Sequence, residues 1–297
     1  MDHEGLTTTA MPTTIPEGFK KLRENLEITA LQESTVSTRQ QDVRSVVEAE
    51  MAVLDSFLTG SYRRSTMISP LGEADVDIFV VLDPKHYSAN GYSALLDTLQ
   101  RVLKKTYTKS PAISKNGQAV TITFTDFRVD VVPGFNRKGG GYLIPNTELQ
   151  KWISTDPKKH VDMWTDANKA RRGDLVPLIK MIKGWNKSRD LLRSFHLEVL
   201  ILNIFTGVSI TDFPSGVRYF FDKCQAKVRM QIADPAGYSD DVGAHVSTTA
   251  QMDRLVNSLS WACTIAREAE AAAAVGNNRL AYDKWRQIFK DYFPAYG

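Results

Sequence analysis

Three acidic residues lie in runs of apolar, β-forming residues, where an ionised carboxylate needs a partner or solvent. Asp75 and Asp77 occur in the run DVDIFVVL, and Asp130 occurs in FRVDVV. Because successive side chains of a strand point to opposite faces, Asp75 and Asp77 share one face of their strand. Two carboxylates on one face favour Mg²⁺, which keeps waters and substrate phosphates in its other positions. The pattern predicts metal-assisted phosphate chemistry, to which Asp130 can bring a third carboxylate.

A Gly-Ser pair precedes these aspartates, with thirteen residues between Ser61 and Asp75. The apolar residues of positions 36–58 recur every three or four residues, which predicts a helix with Ser37 or Thr38 as its N-cap. Gly60 is then expected to end that helix. Ser61 offers a hydroxyl group and nearby backbone amides to a ligand.

The remaining patterns divide the chain into a β-rich half and a helical half. A strand over 76–82, a helix over 92–107 and an antiparallel hairpin over 120–132 are predicted before Pro133 and the Gly139–Gly141 run, which are expected to end the β-rich half. Helical spacing follows over 175–185, 195–205, 215–232 and 252–275. The predicted organisation is a leader over 1–16, a catalytic lobe over 17–155 with a long N-terminal helix and a sheet, and a helical lobe over 156–297.

Composition excludes several classes of protein. The 37 basic and 34 acidic residues give a net charge of +3, too small to indicate a partner made of long nucleic acid. Cys224 and Cys263 are far apart and have no CxxC spacing, so neither a zinc site nor a disulfide framework is predicted. No apolar run approaches the roughly 20 residues that span a bilayer. A cytoplasmic enzyme that does not contact membranes is expected.

The spacing from Gly60-Ser61 to Asp75-Val-Asp77 resembles the signature of polymerase-β-type nucleotidyltransferases, and the third aspartate of that signature looks like Asp130. In the second half, LIKMIKGW (178–185) and SFHLE (194–198) look like the helical lobe of the bacterial cyclic GMP-AMP synthase-like enzymes, the CD-NTases. The resemblance runs from about residue 20 to about residue 265. It implies an α+β, bilobed polymerase-β-like fold with a mixed-sheet lobe and a helical C-terminal lobe.

The resemblance also implies roles for individual residues. Asp75 and Asp77 would bridge two Mg²⁺ ions, which Mn²⁺ could replace, and Asp130 would hold the ion that activates the attacking ribose hydroxyl. Gly60 and Ser61 would hold the donor triphosphate. Lys183 and Ser194 would close on its β and γ phosphates. Lys180, three residues before Lys183, can reach the same helix face, although either lysine can equally be a solvated surface residue.

Three residues near Ser194 each have a structural interpretation as well as a functional one. Phe195 could stack on a base, but a core phenylalanine is at least as good an interpretation. His196 and Glu198 suggest acid-base chemistry, yet a helical histidine beside a core aromatic is more often structural. We therefore leave His196 and Glu198 out of the predicted catalytic set.

The function implied is condensation of NTPs, ATP and a second NTP, into a cyclic di- or trinucleotide second messenger with release of pyrophosphate. The family context implies anti-phage (CBASS) signalling through a downstream effector, and a regulatory or ubiquitin-ligase-like partner at the C-terminal Gly297. The rival enzyme is a polymerase-β-type nucleotidyltransferase that modifies RNA or protein. The alternative that is not an enzyme is a catalytically inactive nucleotide-binding module. The three intact aspartates argue against it.

Overall fold

The structure is a computed structural model that describes residues 12–108, 112–239 and 241–297. Most of the predicted leader, residues 1–11, lies outside the described residues. The helices are α1 (Ile15–Leu26), α2 (Ala30–Glu48), α3 (Gly60–Arg63), α4 (Tyr92–Thr106), α5 (Pro157–Lys169), α6 (Leu175–Lys187), α7 (Ser194–Ile204), α8 (Phe213–Lys227), α9 (Thr249–Ala274) and α10 (Asn278–Phe289). The strands are β1 (Val53–Leu58), β2 (Asp75–Leu82), β3 (Ala112–Asn116), β4 (Ala119–Thr123), β5 (Arg128–Asn136), β6 (Tyr142–Asn146) and β7 (Lys151–Thr155).

Within the described residues, the strands form one seven-stranded mixed sheet in the order β1-β2-β5-β4-β3, with β6 paired to β5 and β7 paired to β6. β2 and β5 run parallel, whereas the other paired strands are antiparallel. Together with the helices, this sheet confirms the predicted α+β class. The β4–β5 pairing confirms the hairpin predicted over 120–132.

One face of the sheet packs on α2 and α4 and fixes the register of the central strands. Val76 and Ile78 of β2 and Val129 and Val131 of β5 are fully buried in this core. Burying an aliphatic side chain contributes about 1.5–3 kcal/mol, and a one-residue slip would exchange the two faces of a strand. The alternation therefore holds the intervening acidic residues on the opposite face.

The helix predicted over residues 36–58 is wrong in its second half. The helix ends at Glu48, and residues 53–58 form β1, which pairs with β2. Helical spacing here is coincidental, because the β-prone run Val-Leu-Asp-Ser-Phe-Leu pairs with β2 at the edge of the sheet, with an irregularity between Val53 and Asp55. The predicted N-cap is also wrong, since Thr29 forms a capping box with Gln32.

The β-rich half continues beyond the point where the sequence predicted its end. β5 passes through Pro133 to Asn136, and the Gly139–Gly141 run forms a turn in which the Arg137 amide donates to the Gly141 carbonyl. The chain then returns as β6 and β7. The three glycines have positive φ angles, so they permit this reversal rather than ending the sheet.

The residues fall into two compact groups. The sheet unit contains Glu27–Val176 and Ile232–Val242, and the helical unit contains residues 12–26, Pro177–Gln231 and Gly243–Gly297. The sheet unit thus includes α5, which lies beyond the predicted limit at residue 155; the domain limits themselves stay a prediction.

The helical unit contains the helices predicted over 175–185, 195–205, 215–232 and 252–275, with ends shifted by a few residues. It also contains α1 and α10, which were not predicted. Phe19 of α1 packs edge-on against Trp285 of α10 with ring centroids 4.9 Å apart. In the part of the chain that the structure describes, no helix has the length and apolar content needed to cross a bilayer.

Candidate active site

The parallel pairing of β2 with β5 places the three predicted aspartates on one sheet face. Asp77 is the direct neighbour of Asp130, and Asp75 is the direct neighbour of Arg128. Adjacent strands lie about 4.8 Å apart, so these side chains are within reach of one another. Sequence reasoning supplied the face of each strand, and the structure supplies the register that joins them.

Gly60 lies against the carboxylate of Asp77. Its φ angle is +63°, and a Cβ atom built on it would lie 1.7 Å from Oδ2 of Asp77. The preceding amide, Thr59 N–H, donates to the Asp77 carbonyl over 2.9 Å. The expectation that Gly60 ends a helix is wrong: it follows β1 and opens the short helix α3. Glycine is needed here both for the backbone conformation and for the space that the carboxylate occupies.

Replacing Gly60 with alanine tests this close approach. Gly117→Ala is the matched control, because Gly117 has a similar φ of +55° and its Cβ would meet Glu148 only at ordinary contact distance. We expect the control to lose about 1–2 kcal/mol of unfolding free energy. Gly60→Ala should lose about 1–3 kcal/mol more, because the Asp77 carboxylate must move aside.

The displaced carboxylate should also lower the turnover of the enzyme that the sequence predicts by about a hundredfold, since misplacing a reacting group by about 1 Å has effects of that size. Urea unfolding and an initial-rate assay measure the two effects. Equal stability losses and equal turnover in Gly60→Ala and Gly117→Ala would contradict the close approach.

Ser61 follows Gly60 in the first turn of α3 and is partly exposed. Its carbonyl accepts hydrogen bonds from the amides of Thr66 and Met67, at 2.9 and 3.1 Å. These bonds hold the turn in place beside β2. The structure thus brings Ser61 near the aspartates through its neighbour Gly60, and its predicted contact with a triphosphate stays a prediction.

Asp130 is a partly buried carboxylate of this face. Burial raises the pKa of Asp130 above its ordinary value; the hydrogen bond from Thr121 opposes this rise, the charge of Asp75 adds to it, and Arg128 opposes it. Thr121 Oγ1 donates to Asp130 Oδ1 over 2.6 Å. A partly buried carboxylate with one fixed hydrogen bond and acidic neighbours gains from a nearby cation, because the charged form is otherwise disfavoured.

Arg128 is a residue of this face that the sequence analysis did not single out. Its Nε donates to Asp75 Oδ1 over 2.6 Å, and both side chains are nearly half exposed. The only signal in the sequence is its position two residues before Asp130, which puts both side chains on the same face of β5. The ion pair itself depends on the alignment of β2 with β5.

The donor chemistry of the face fits a hard divalent cation. Asp75, Asp77 and Asp130 offer only carboxylate oxygens, the ligands that Mg²⁺ and Mn²⁺ prefer. Among the described residues, no three His, Cys, Asp or Glu side chains are gathered as a ready metal site. Asp75 instead engages Arg128. The residue types therefore fit such a cation, while Asp75 is paired with Arg128 in this structure.

Lys183 of α6 forms a buried ion pair within the helical unit. Its Nζ lies 3.2 Å from Oε1 of Glu198 on α7, and the Glu198 side chain is fully buried. Lys180 is also buried, so the alternative that these lysines are solvated surface residues is wrong. Glu198 was noticed in the sequence and left aside as a candidate; the structure gives it a partner that no spacing pattern reveals.

The other predicted residues of the helical unit have different surroundings. Ser194 is exposed at the start of α7, and Phe195 is half-buried. His196 is buried, with its ring edge-on to that of His245 at 5.1 Å between centroids. This packing supports the structural interpretation of His196. The sheet unit thus brings together the three aspartates with Gly60 and Ser61, whereas Lys180, Lys183 and Ser194 belong to the helical unit.

Residues 13–168, more than half of the chain, match the family described as the Second Messenger Oligonucleotide or Dinucleotide Synthetase (SMODS) domain. The chain belongs to this family. The predicted membership in the bacterial CD-NTases is thereby confirmed, and with it the prediction that the chain is a nucleotidyltransferase of the class that makes cyclic nucleotides.

Named relatives of this SMODS chain support the same class. A cyclic AMP-AMP-AMP synthase from Acinetobacter sp. is 29% identical over 262 residues, covering 80% of this chain and 72% of the relative. A cyclic AMP-AMP-GMP synthase from Enterobacter hormaechei is 22% identical and covers 89% of this chain and 87% of the relative.

Solved structures share the fold. CdnC of E. coli MS115-1, determined with ATP, has a TM-score of 0.76 at 18% identity and covers 94% of this chain and 98% of that chain. The Vibrio cholerae cyclic AMP-GMP synthase DncV, determined with a linear intermediate, has a TM-score of 0.67 at 16% identity and covers 94% and 86%. These similarities confirm the polymerase-β-like fold class predicted from the sequence.

Proposed function

We propose that this chain condenses ATP and a second NTP into a cyclic di- or trinucleotide and releases pyrophosphate at each bond. The observation that carries the proposal is the pairing of Asp77 with Asp130 on parallel strands, beside Gly60, in a member of the SMODS family. Cyclisation requires the linear intermediate to turn round and present its own hydroxyl group to the same carboxylates.

Each residue of the sheet unit has a distinct part in this proposal. Asp75 and Asp77 would hold two Mg²⁺ ions, or Mn²⁺ in their place, and Asp130 would share the one nearest the attacking ribose hydroxyl. Such ions, when bound, stabilise the charge on the attacking and leaving oxygens. Thr121 keeps the Asp130 carboxylate in one orientation, and Gly60 leaves room for that of Asp77. Ser61 would donate its hydroxyl to the triphosphate.

In the helical unit, Lys183 and Ser194 would bind the β and γ phosphates, with Lys180 as a second cation. The buried carboxylate of Glu198 supports this part of the proposal because it keeps the Lys183 ammonium in one place. A prepositioned charge loses less conformational freedom on binding a phosphate than a mobile surface lysine does.

The names of the relatives support the choice of substrate. The Acinetobacter and Enterobacter relatives are named for trinucleotide products that contain AMP. CdnC was determined with ATP, and DncV with a linear intermediate that contains adenosine and guanosine. We infer that ATP is one substrate of this chain.

The experiment is an acceptor-free assay of the purified full chain with each NTP alone, with pairs, and with all four, in Mg²⁺ or in EDTA. We expect pyrophosphate release that requires Mg²⁺ and ATP and needs no added RNA or protein. Strict dependence on an added acceptor would favour the enzyme that modifies RNA or protein. Nucleotide binding without pyrophosphate release under every condition would favour the inactive binding module.

We infer further that the product acts through a downstream effector in cytoplasmic anti-phage (CBASS) signalling. A regulatory partner is part of this proposal, since CdnC of E. coli MS115-1 was determined in a complex with HORMA. Measurement of cyclic nucleotides in cells that express the chain, with and without phage infection, tests this context. Nucleotide synthesis that does not change with infection would contradict it.

Conjugation of the C-terminal Gly297 by a ubiquitin-ligase-like partner is a separate part of the proposal. Gly297 is exposed, its amide donates to the Pro12 carbonyl over 3.3 Å, and Tyr296 packs edge-on against Tyr282. A conjugating enzyme would therefore have to break the hydrogen bond of Gly297 to Pro12 and separate Tyr296 from Tyr282. Mass spectrometry of the native protein in the presence of the partner tests the idea, and finding only free Gly297 would contradict it.

A further inference from the structure

Arg128 forms an ion pair with Asp75, a carboxylate that would bind a metal ion in the proposed function. Arg128 Nε lies 2.6 Å from Asp75 Oδ1, and the two residues are direct partners in the β2–β5 ladder. The two side chains are adjacent across the ladder, so they form the ion pair without any movement of the backbone. Since both side chains are nearly half exposed, they can also separate without unpacking the core.

The proposed function would use Asp75 as a metal ligand, and a carboxylate oxygen that already accepts a hydrogen bond from a cation is a weaker ligand. Arg128 occupies Oδ1 in the structure. A guanidinium group at hydrogen-bond distance and a divalent ion about 2.1 Å from the same carboxylate would also repel each other. The Arg128–Asp75 pair and the binding of a metal ion by Asp75 therefore compete with each other.

An exposed ion pair such as this one can compete with a metal ion for Asp75 and still be displaced by it. Pairs of this kind contribute little net stability, because solvent screens them and two long side chains lose freedom. A divalent ion held by several carboxylates can displace such a pair, whereas it could not displace a buried one so readily. Without Arg128, three carboxylates would share one face with less compensation for their mutual repulsion.

We propose that Arg128 is a positioning residue that holds Asp75 while the site lacks metal and yields it when metal binds, and so sets the metal affinity of the site. This inference rests on the proposed metal-dependent function. It predicts that removing Arg128 makes the metal bind more tightly, although the metal-free protein becomes less stable.

The first test measures Mn²⁺ binding to the full chain without nucleotide, from the electron paramagnetic resonance signal of free Mn²⁺. Arg128→Gln should bind Mn²⁺ about fivefold more tightly than the unchanged protein, the size expected for removal of one exposed ion-pair partner. Arg39→Gln is the matched control, because it removes an arginine of the same unit that pairs with Asp126. No tightening, or equal tightening in both variants, would overturn the proposal.

The second test measures thermal unfolding in EDTA and in saturating Mn²⁺. Arg128→Gln should unfold at a lower temperature than the unchanged protein in EDTA, and the difference should vanish in Mn²⁺. In Arg128→Gln/Asp75→Asn, the loss in EDTA should be smaller than in Arg128→Gln alone. A difference that persists unchanged in Mn²⁺ would make Arg128 a purely structural residue and overturn the proposal.

These measurements separate failure of this inference from failure of the proposed function. If Asp77→Asn binds Mn²⁺ as well as the unchanged protein does, the carboxylate face is not the metal site, and both proposals fail. If Asp77→Asn loses Mn²⁺ binding and Arg128→Gln does not tighten it, only the role of Arg128 fails.

Discussion

Asp77→Asn is expected to lower product formation by about a thousandfold while the protein remains folded. The asparagine keeps the size of the side chain and one oxygen, but it loses the charge that the proposed metal requires, and losses of this order follow removal of a group that stabilises transition-state charge. Because Asp77 lies on the sheet face opposite the apolar core, the core should be unaffected.

Asp126→Asn is the matched control for this prediction. Asp126 lies in the turn before β5 and pairs with Arg39. The substitution therefore removes one acidic charge from the same unit and leaves the three carboxylates of the sheet face unchanged. We expect near-normal product formation from Asp126→Asn, measured with radiolabelled ATP and Mg²⁺. Comparable activity in Asp77→Asn and Asp126→Asn would contradict the assignment of Asp77.

Glu198→Gln is expected to lower the free energy of unfolding by about 3 kcal/mol. Removing one partner of a buried pair takes away compensation from the other charge, and such changes typically have effects of 3–5 kcal/mol. The remaining glutamine oxygen can still accept a hydrogen bond from Lys183, which puts the expected loss at the lower end. Urea unfolding at neutral pH measures it.

The control in the same helical unit is Glu270→Gln, because Glu270 pairs with Arg218 and both side chains are about one-third exposed. That pair should contribute about 1 kcal/mol or less. In Glu198→Gln/Lys183→Met the buried charge is removed as well, so stability should recover relative to Glu198→Gln. Equal losses from Glu198→Gln and Glu270→Gln would contradict the buried-pair account.

The strand faces of the aspartates could be predicted from the sequence because strand periodicity is local. Asp75 and Asp77 alternate with apolar residues, and Asp130 alternates with Val129 and Val131, so the core dictates which way the carboxylates point. Their alignment across β2 and β5 could not be derived from spacing, since the two strands are far apart in the chain. The family resemblance supplied that link.

The errors arise where a local pattern has two structural solutions. Met51, Leu54 and Leu58 fit a helical repeat, yet residues 53–58 pair with β2, and Leu54 is 54% exposed. Gly60 was recognised as a special position, but only the structure reveals that the Asp77 carboxylate occupies the space beside it.

The Arg128–Asp75 and Lys183–Glu198 ion pairs could not be predicted without the three-dimensional structure. Arg128 meets Asp75 only because β2 and β5 are aligned, and Lys183 of α6 meets Glu198 of α7 only in the folded helical unit. In both cases a charged residue could be read as a solvated surface group from the sequence. The partners of both pairs, and the burial of Lys183 and Glu198, follow from tertiary packing.

The most direct test of the central claim is mass spectrometry of the products made from NTPs and Mg²⁺ alone, after exhaustive phosphatase treatment. We predict a phosphatase-resistant product with the mass of a cyclic di- or trinucleotide that contains AMP, absent from the Asp77→Asn reaction. Finding only nucleosides from unreacted NTPs, or linear oligonucleotides whose terminal phosphates the phosphatase has removed, would contradict the claim.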